Sequence, residues 1–390
     1  MRSHSIRPRW PFPEHGKLTA HPRHLWCKWI DGGTRYFGPW QDPDPGDEFA
    51  KAALKRYLAY MHAKSQDRPV QVDPGDVTLR IAVNHYLAAR NKDRIAGNLS
   101  AQQLLFYQNF GRVMLETCGF DKLVKDMGPP DFELLRSKLI GGPVFVSKQI
   151  QLMRSIFRWV GEYYGILPRY GGQFNKPGKR EMRRARKPKP LFEPTEIRKL
   201  LKAASPALKC FILLGINCGF GQMDCATLTV AAVDLKSGVI DIERSKTAVR
   251  RVCLLWPETV KALKAYKRPN TALPELYFVT KFRQPWVKLN VHQDDSDHVD
   301  RVSRTDSISL ELRKLCKAQG ITPRGFYVLR HTFNTIAEGA GDPNARKVIM
   351  GHTFDGMDEF YLHLHQQAEF MKRLQKVSGF VRQWVYGGKG

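Results

Sequence analysis

Acidic residues are scarce beside basic ones: 37 Asp and Glu stand against 63 Lys and Arg, a formal net charge of +26 over 390 residues. That excess is larger than solubility needs and points to a polyanionic partner. A cationic protein on a membrane surface is the other reading. No strongly apolar run of about 18 residues occurs, so no segment is expected to cross a bilayer. The opening Met1-Arg2-Ser3-His4-Ser5-Ile6-Arg7 has no apolar stretch and is not a secretory signal. Cysteines are few, odd in number and scattered: Cys27, Cys118, Cys210, Cys218, Cys225, Cys253 and Cys316, with no CxxC pair. Reduced thiols in a cytosolic compartment, and no zinc site, are expected. HExxH, P-loop and GxGxxG patterns are missing, so neither a metal nor a nucleotide cofactor is implied.

What is present suffices for several ordinary cores, since 42% of residues are hydrophobic. Residues 1–22 are rich in Pro, His and Arg and read as irregular. Leu25-Trp26-Cys27-Lys28-Trp29-Ile30 and Thr34-Arg35-Tyr36-Phe37-Gly38 read as two strands around an Asp-Gly-Gly turn. A helix follows from about Asp47 to Ala63, with Phe49, Ala53, Tyr57 and Tyr60 on one face. Residues 1–65 thus form a small sheet-and-helix module, and a polar Pro/Gly segment over 64–76 separates it from the rest. Residues 76–168 read as four helices, marked by Leu79, Val83 and Leu87, by Leu104, Phe106 and Phe110, by Phe132, Leu135 and Leu139, and by Ile150, Met153, Ile156, Phe157 and Val160. The stretch 169–190 reads as a linker. Lys176, Lys179, Arg180, Arg183, Arg184, Arg186, Lys187 and Lys189 face a single acid, Glu181. Beside a nucleic acid it would also be an electrostatic strap, each neutralised phosphate releasing counterions.

From residue 191 the pattern is mixed. Pro194 suits the first position of a helix whose buried stripe is Ile197, Leu200, Leu201 and Ala204. A second helix ends at Asn217-Cys218-Gly219, and Gly219-Phe220-Gly221-Gln222-Met223-Asp224 leads on to Leu228 and Asp234. Residues 238–243 and 250–255 read as a hairpin across Arg244-Ser245-Lys246-Thr247. Residues 267–306 read as polar and irregular. Asp294, Asp295, Asp297 and Asp300, with His292 and His298, fit no ligand template and are expected to be a solvated loop. A helix from Ser307 to Ala318 precedes the most distinctive stretch, Gly325 to His363. There Arg330 sits on an apolar helix, Gly351-His352 follows a Gly-Asp turn, and Tyr361 comes nine residues after His352. A tyrosine, an arginine and a histidine converging in a very basic chain suggest a phenol attacking a DNA phosphate while the guanidinium holds its oxygens and the imidazole assists.

The order Arg330-His331-Thr332, Gly351-His352 and Tyr361 resembles the catalytic domain of the tyrosine recombinase (phage integrase) family. The resemblance covers residues 190–365 firmly, 77–167 by position and helical character, and 20–60 weakly. It implies a mainly α protein with small β elements (α+β), in three parts. These are an arm-type DNA-binding module over 1–65, a helical core-binding domain over 76–168 and a mixed α/β catalytic domain over 191–390. A plain N-terminal clip remains the alternative for the first part. By the same resemblance Tyr361 is the nucleophile, Lys246 the acid for the leaving oxygen, and Arg330 and His352 the stabilisers of phosphate charge. Tyr327 stands where a histidine is frequent. Asp224 and His331 support the site, and Lys179, Arg180, Arg183, Arg184, Arg186 and Lys187 contact DNA. No cofactor is implied. Partners would be double-stranded DNA, further copies in a tetramer and an accessory DNA-bending protein, with no membrane. The setting would be a bacterial or phage cytoplasm, at the nucleoid.

One position departs sharply. Where the family has an arginine that clamps the phosphate, residue 221 is glycine. Loss of one such donor costs about a hundred- to a thousand-fold in rate. Arg244, Arg250 and Arg324 are candidates to replace it. Three activities stay open: a site-specific recombinase, a DNA-binding protein on the same fold that does not cut, and a tyrosine-type topoisomerase. The terminal helix marked by Phe370, Leu374, Val377, Val381 and Trp384 either closes its own core or docks on a neighbouring subunit.

Overall fold

Two consecutive buried residues, Trp26 and Cys27, break the usual in–out alternation of a strand. A bulge in the partner strand lies at this point: Trp26 pairs with Gly38 but Cys27 pairs with Tyr36, leaving Phe37 as the extra residue. The structure is a computed structural model that describes residues 7–22, 24–30, 33–65, 74–186, 188–244, 249–270, 273–293, 299–353 and 368–387. Strands β1 (Thr19–His21), β2 (Leu25–Ile30) and β3 (Gly33–Pro39) form an antiparallel sheet in that order. Helix α1 (Glu48–Ser65) lays Ala50, Ala53 and Tyr57 on it, around Trp10, Leu18, Trp26, Phe37 and Trp40. Phe49, expected on that inward face, is exposed.

The chain divides into two compact units, one comprising residues 1–89, 107–141 and 145–176, the other 90–106, 142–144 and 177–390. The first holds the small sheet and most of α2 (Leu79–Ile95), α3 (Ala101–Cys118), α4 (Pro129–Ser137) and α5 (Pro143–Tyr164). On α5 the buried residues Val146, Ile150, Met153, Phe157, Val160 and Tyr164 recur every three or four positions. Phe174 is also fully buried, its ring 5.1 Å from Phe132, although it lies in the stretch that reads as linker. The aromatic stretch Tyr170 to Phe174 has too much apolar surface to stay in water.

In the second unit, α6 (Lys179–Arg184) is a short exposed turn of helix. Then come α7 (Pro194–Ala203), α8 (Pro206–Asn217) and α9 (Gln222–Ala226). Strands β4 (Val233–Asp234), β5 (Val239–Arg244) and β6 (Val249–Leu254) make an antiparallel sheet in sequence order. Helix α10 (Pro257–Ala265) follows, then the hairpin β7 (Val287–Gln293) and β8 (Val299–Asp306). That hairpin corrects the expectation of an irregular 267–306. Val287-Lys288-Leu289-Asn290-Val291 alternates as a strand should, but Leu289 and Val291 stay 55% and 40% exposed, so the run reads as polar. Helices α11 (Ser307–Ala318), α12 (Tyr327–Ala337), α13 (Pro343–Met350) and α14 (Ala368–Tyr386) complete the described chain.

Helix α8 is apolar on every side, which suits a helix buried all round. At Gly215 it meets α12 so closely that a Cβ would lie 2.9 Å from that of Leu329. Helix α14 packs Phe370, Leu374, Val377, Val381 and Val385 into this same core, beside α7, α8, α12, α13 and β6. At the end of α8, Asn217 is wholly buried and uses both halves of its amide. Its Nδ2 donates to Leu254 O and Ser378 Oγ, and its Oδ1 accepts from Trp256 N and Thr259 Oγ1, at 2.9–3.0 Å. One side chain thereby ties α8 to β6, α10 and α14.

Asn217→Ala is expected to cost about 2–4 kcal/mol in chemical denaturation, because each buried group left without a partner costs about 1–3 kcal/mol and some re-pair. A loss below about 0.5 kcal/mol, the level of an ordinary surface change, would contradict this role.

Candidate active site

The turn after α8 is where the site begins. Gly219 takes φ +62°, and Phe220 N donates back to Leu214 O at 3.2 Å, so the helix ends in a left-handed glycine cap. No side chain fits there: a Cβ would lie 2.6 Å from Met350 Sδ and 2.8 Å from Phe333 Cδ1. Helix α13 ends in the same way. Gly351 has φ +60° and His352 N donates to Lys347 O at 3.0 Å, which turns the chain back at His352.

Arg330, on α12, bridges the two turns. Its Nη1 donates to Gly219 O at 2.5 Å and its Nη2 to Met350 O at 2.8 Å, with the residue only 2% exposed. Nη2 is also 3.2 Å from Nε2 of the half-buried His352. A guanidinium can only donate, so this contact makes Nε2 the acceptor and leaves the ring proton on Nδ1. Two residues 22 positions apart, singled out in the sequence for phosphate chemistry, are thus in direct contact.

Beneath them lies a residue that the sequence reading passed over. Arg251, on β6, is fully buried. Its Nε donates to Ile349 O at 3.0 Å and its Nη2 to Cys218 O at 2.8 Å, while its guanidinium stacks 4.3 Å from the Phe220 ring. Asp224 sits between the two arginines, with Oδ2 3.2 Å from Arg251 Nη1 and 3.9 Å from Arg330 Nη1. The same oxygen accepts the Gly221 N–H at 2.7 Å. Strand alternation could have identified Arg251: it pairs with Ile242, and Cys253 pairs with Ile240, so all four share the inward face.

Tyr327, at the first turn of α12, is 42% exposed, its ring 4.9 Å edge-on to His331 and 6.0 Å from the Arg330 guanidinium carbon. Burial, then the charges of Lys189 and Arg330, lower the pKa of His331. Two of the three cations offered for the place of residue 221 are occupied elsewhere. Arg250 pairs with Asp241, and Arg324 with Glu196 while lying over Phe192. The Arg244 side chain, Lys246 and Tyr361 lie outside the described residues. So do Lys187, Asp294, Asp295, Asp297 and His298. Lys179, Arg180, Arg183, Arg184 and Arg186 are all exposed. A cleft of about 450 Å³ is lined by Asp224, Asp241, Glu243 and neighbours from 227 to 242, and its carboxylates suit no phosphate. Among the described residues, no group of three or more His, Cys, Asp or Glu could hold a metal, and no helix is long and apolar enough to cross a membrane.

Both sides of the segment carrying Tyr361 are tied together. Asp342, the N-cap of α13, accepts from Arg373 Nε and Nη2 of α14 at 2.6 and 2.8 Å. That pair holds the Asp342 carboxyl below its ordinary range, against the effect of burial.

Comparison with known proteins places residues 191–368 under the model of the phage integrase family. A search of curated proteins gives no match. Among solved structures, the Tn1549 transposon integrase in complex with transposon right end DNA is similar at 13% identity and TM-score 0.51, over 80% of this chain and 100% of that one. The same integrase with circular intermediate DNA gives 14% and 0.50, over 77% and 99%. A lambda integrase dimer bound to a COC′ core site gives 15% and 0.47, over 92% and 96%. At these identities the likeness to the two Tn1549 integrase structures is one of fold.

Two pH measurements test the electrostatics. Asp342 has a lower pKa folded than unfolded, so it stabilises above the unfolded value of about 3.9 and that contribution disappears as pH falls through the folded value. Arg373→Met is expected to lower stability by about 1 kcal/mol at pH 7, a figure discounted for the partly exposed arginine, and by much less near pH 3. An equal loss at both pH values would contradict the pairing. His331 should titrate in NMR below the ordinary 6.5, because burial and two cations disfavour its charged form; a midpoint above 6.5 would contradict that environment.

Proposed function

Residues 191–368 match the model of the phage integrase family, and from that match we propose that this chain is a member of that family, a site-specific DNA recombinase that cuts and rejoins DNA through a 3′-phosphotyrosyl bond at Tyr361. The observation that carries the reading is the contact of Arg330 with His352, two phosphate-stabilising groups held at adjoining glycine turns. The phenolic oxygen of Tyr361 gives its proton to water and forms a bond to phosphorus, the bond to the 5′ oxygen breaks, and Lys246 gives that oxygen a proton. Arg330 and the neutral His352 stabilise the charge that develops on the phosphoryl oxygens. The phosphotyrosyl bond keeps the energy of the broken linkage, so no cofactor is needed. A 5′-hydroxyl from a second duplex reverses the step and completes the exchange.

Around this centre the net charge of +26 supplies affinity for duplex DNA. We assign residues 76–168 and the exposed basic residues of 179–186 to contacts with the DNA backbone, and residues 1–65 to an arm site. A tetramer on paired half-sites, with an accessory DNA-bending protein, is the assembly proposed. A second reading, a DNA-binding protein that does not cut, draws on glycine at 221 and on the near-complete burial of Arg330.

A nicked duplex that loses its 5′-hydroxyl fragment on cleavage separates the two. The wild type is expected to accumulate a covalent protein–DNA adduct and Tyr361→Phe none. Equal yields would remove Tyr361 as the nucleophile, and no adduct with either would leave the non-cutting reading.

A further inference from the structure

Glycine at 221 and tyrosine at 327 look like independent departures from the family pattern, yet in space they are one. A Cβ on residue 221 would lie 3.3 Å from Cδ2 and Cε2 of Tyr327 and 3.5 Å from Oδ2 of Asp224. The tyrosine ring therefore covers the space into which a side chain at 221 would start. With glycine at 221, Asp224 receives no cation from its own turn. Facing Arg330 alone, its carboxylate would move onto that guanidinium and cancel the charge meant for a phosphate.

Arg251 prevents this. Its Nη1 is the nearer of the two to the carboxylate, 3.2 Å against 3.9 Å. That nitrogen is buried and donates no hydrogen bond among the described residues, so the ion pair with Asp224 is what engages it. The remaining contacts of Arg251 duplicate those of Arg330 one residue earlier. Arg251 binds the carbonyls of Cys218 and Ile349, and Arg330 those of Gly219 and Met350. Two guanidiniums around one carboxylate leave one net positive charge beneath the turn.

We infer that Arg251, reaching in from β6, is a positioning residue that replaces an arginine at 221 as the partner of Asp224 and so keeps the charge of Arg330 available to the scissile phosphate. Its catalytic half rests on the recombinase reading above; its structural half does not. Arginine is thereby moved from the turn to the strand, and the vacated space is filled by an aromatic ring.

The test is an exchange between positions 221 and 251, read by the rate of covalent adduct formation on the nicked duplex, by DNA affinity and by thermal unfolding. Arg251→Met is expected to slow adduct formation about tenfold or more with DNA affinity unchanged, whereas Arg251→Lys, which keeps the cation, should lose less than about threefold. Gly221→Arg alone should give no gain in melting temperature, because Asp224 is already paired. In the Arg251→Met background, Gly221→Arg should recover both rate and melting temperature, since the exposed Tyr327 ring can swing aside for the new side chain. A normal rate and melting temperature in Arg251→Met, or losses that simply add in the double variant, would overturn the inference. If Arg251→Met is too unstable to assay, Arg251→Lys and the double variant decide it: a double variant that also fails to fold overturns it. Absence of any adduct in the wild type would defeat the recombinase reading instead. The exchange would then be judged on melting temperature alone, recovery supporting it and additive loss rejecting it.

Discussion

Two guanidinium groups are buried in the core of the second unit, and the geometry around the candidate site depends on how they are neutralised. Burying a charge is costly unless it is paired and hydrogen-bonded. Arg251 and Arg330 meet that condition with four backbone carbonyls and one shared carboxylate. Those carbonyls belong to two chain turns, 218–219 and 349–350, which the arginines clasp together. Each turn is capped by a left-handed glycine, and each glycine is where it is because a side chain would clash or strain the backbone. His352 is delivered to Arg330 by that cap.

Much of this was legible in the chain. The helix of Arg330 follows from Leu329, Phe333 and Ala337 on one side, and the stops at Gly219, Gly320 and Gly351 from glycine at helix ends. The β5–β6 hairpin follows from alternation. Arg251 was hidden because Arg250-Arg251 looks like one solvated pair, although strand parity sends the first outward to Asp241 and the second inward to Asp224. The β7–β8 hairpin was hidden because its apolar residues remain half in water, leaving no buried stripe to notice. Phe174 was hidden by basic neighbours that obscure an aromatic anchor.

Glycine at 221 has a spatial setting that spacing alone could not reveal. Sequence order sets residues 221, 251 and 327 far apart; the fold brings a glycine, a ring and the guanidinium of Arg251 around one aspartate. A site that had merely lost a residue would be expected to leave Asp224 with one partner fewer. Here the carboxylate lies between two cations, 3.2 Å from Arg251 and 3.9 Å from Arg330.

The central claim is that a phenolic oxygen on the segment between α13 and α14 becomes bonded to DNA. Mass spectrometry of the trapped complex, after nuclease and trypsin, tests it most directly. A nucleotide on Tyr361, within the peptide from Val348 to Lys372, is the result this account predicts. A nucleotide on any other residue, or none on that peptide, would contradict it.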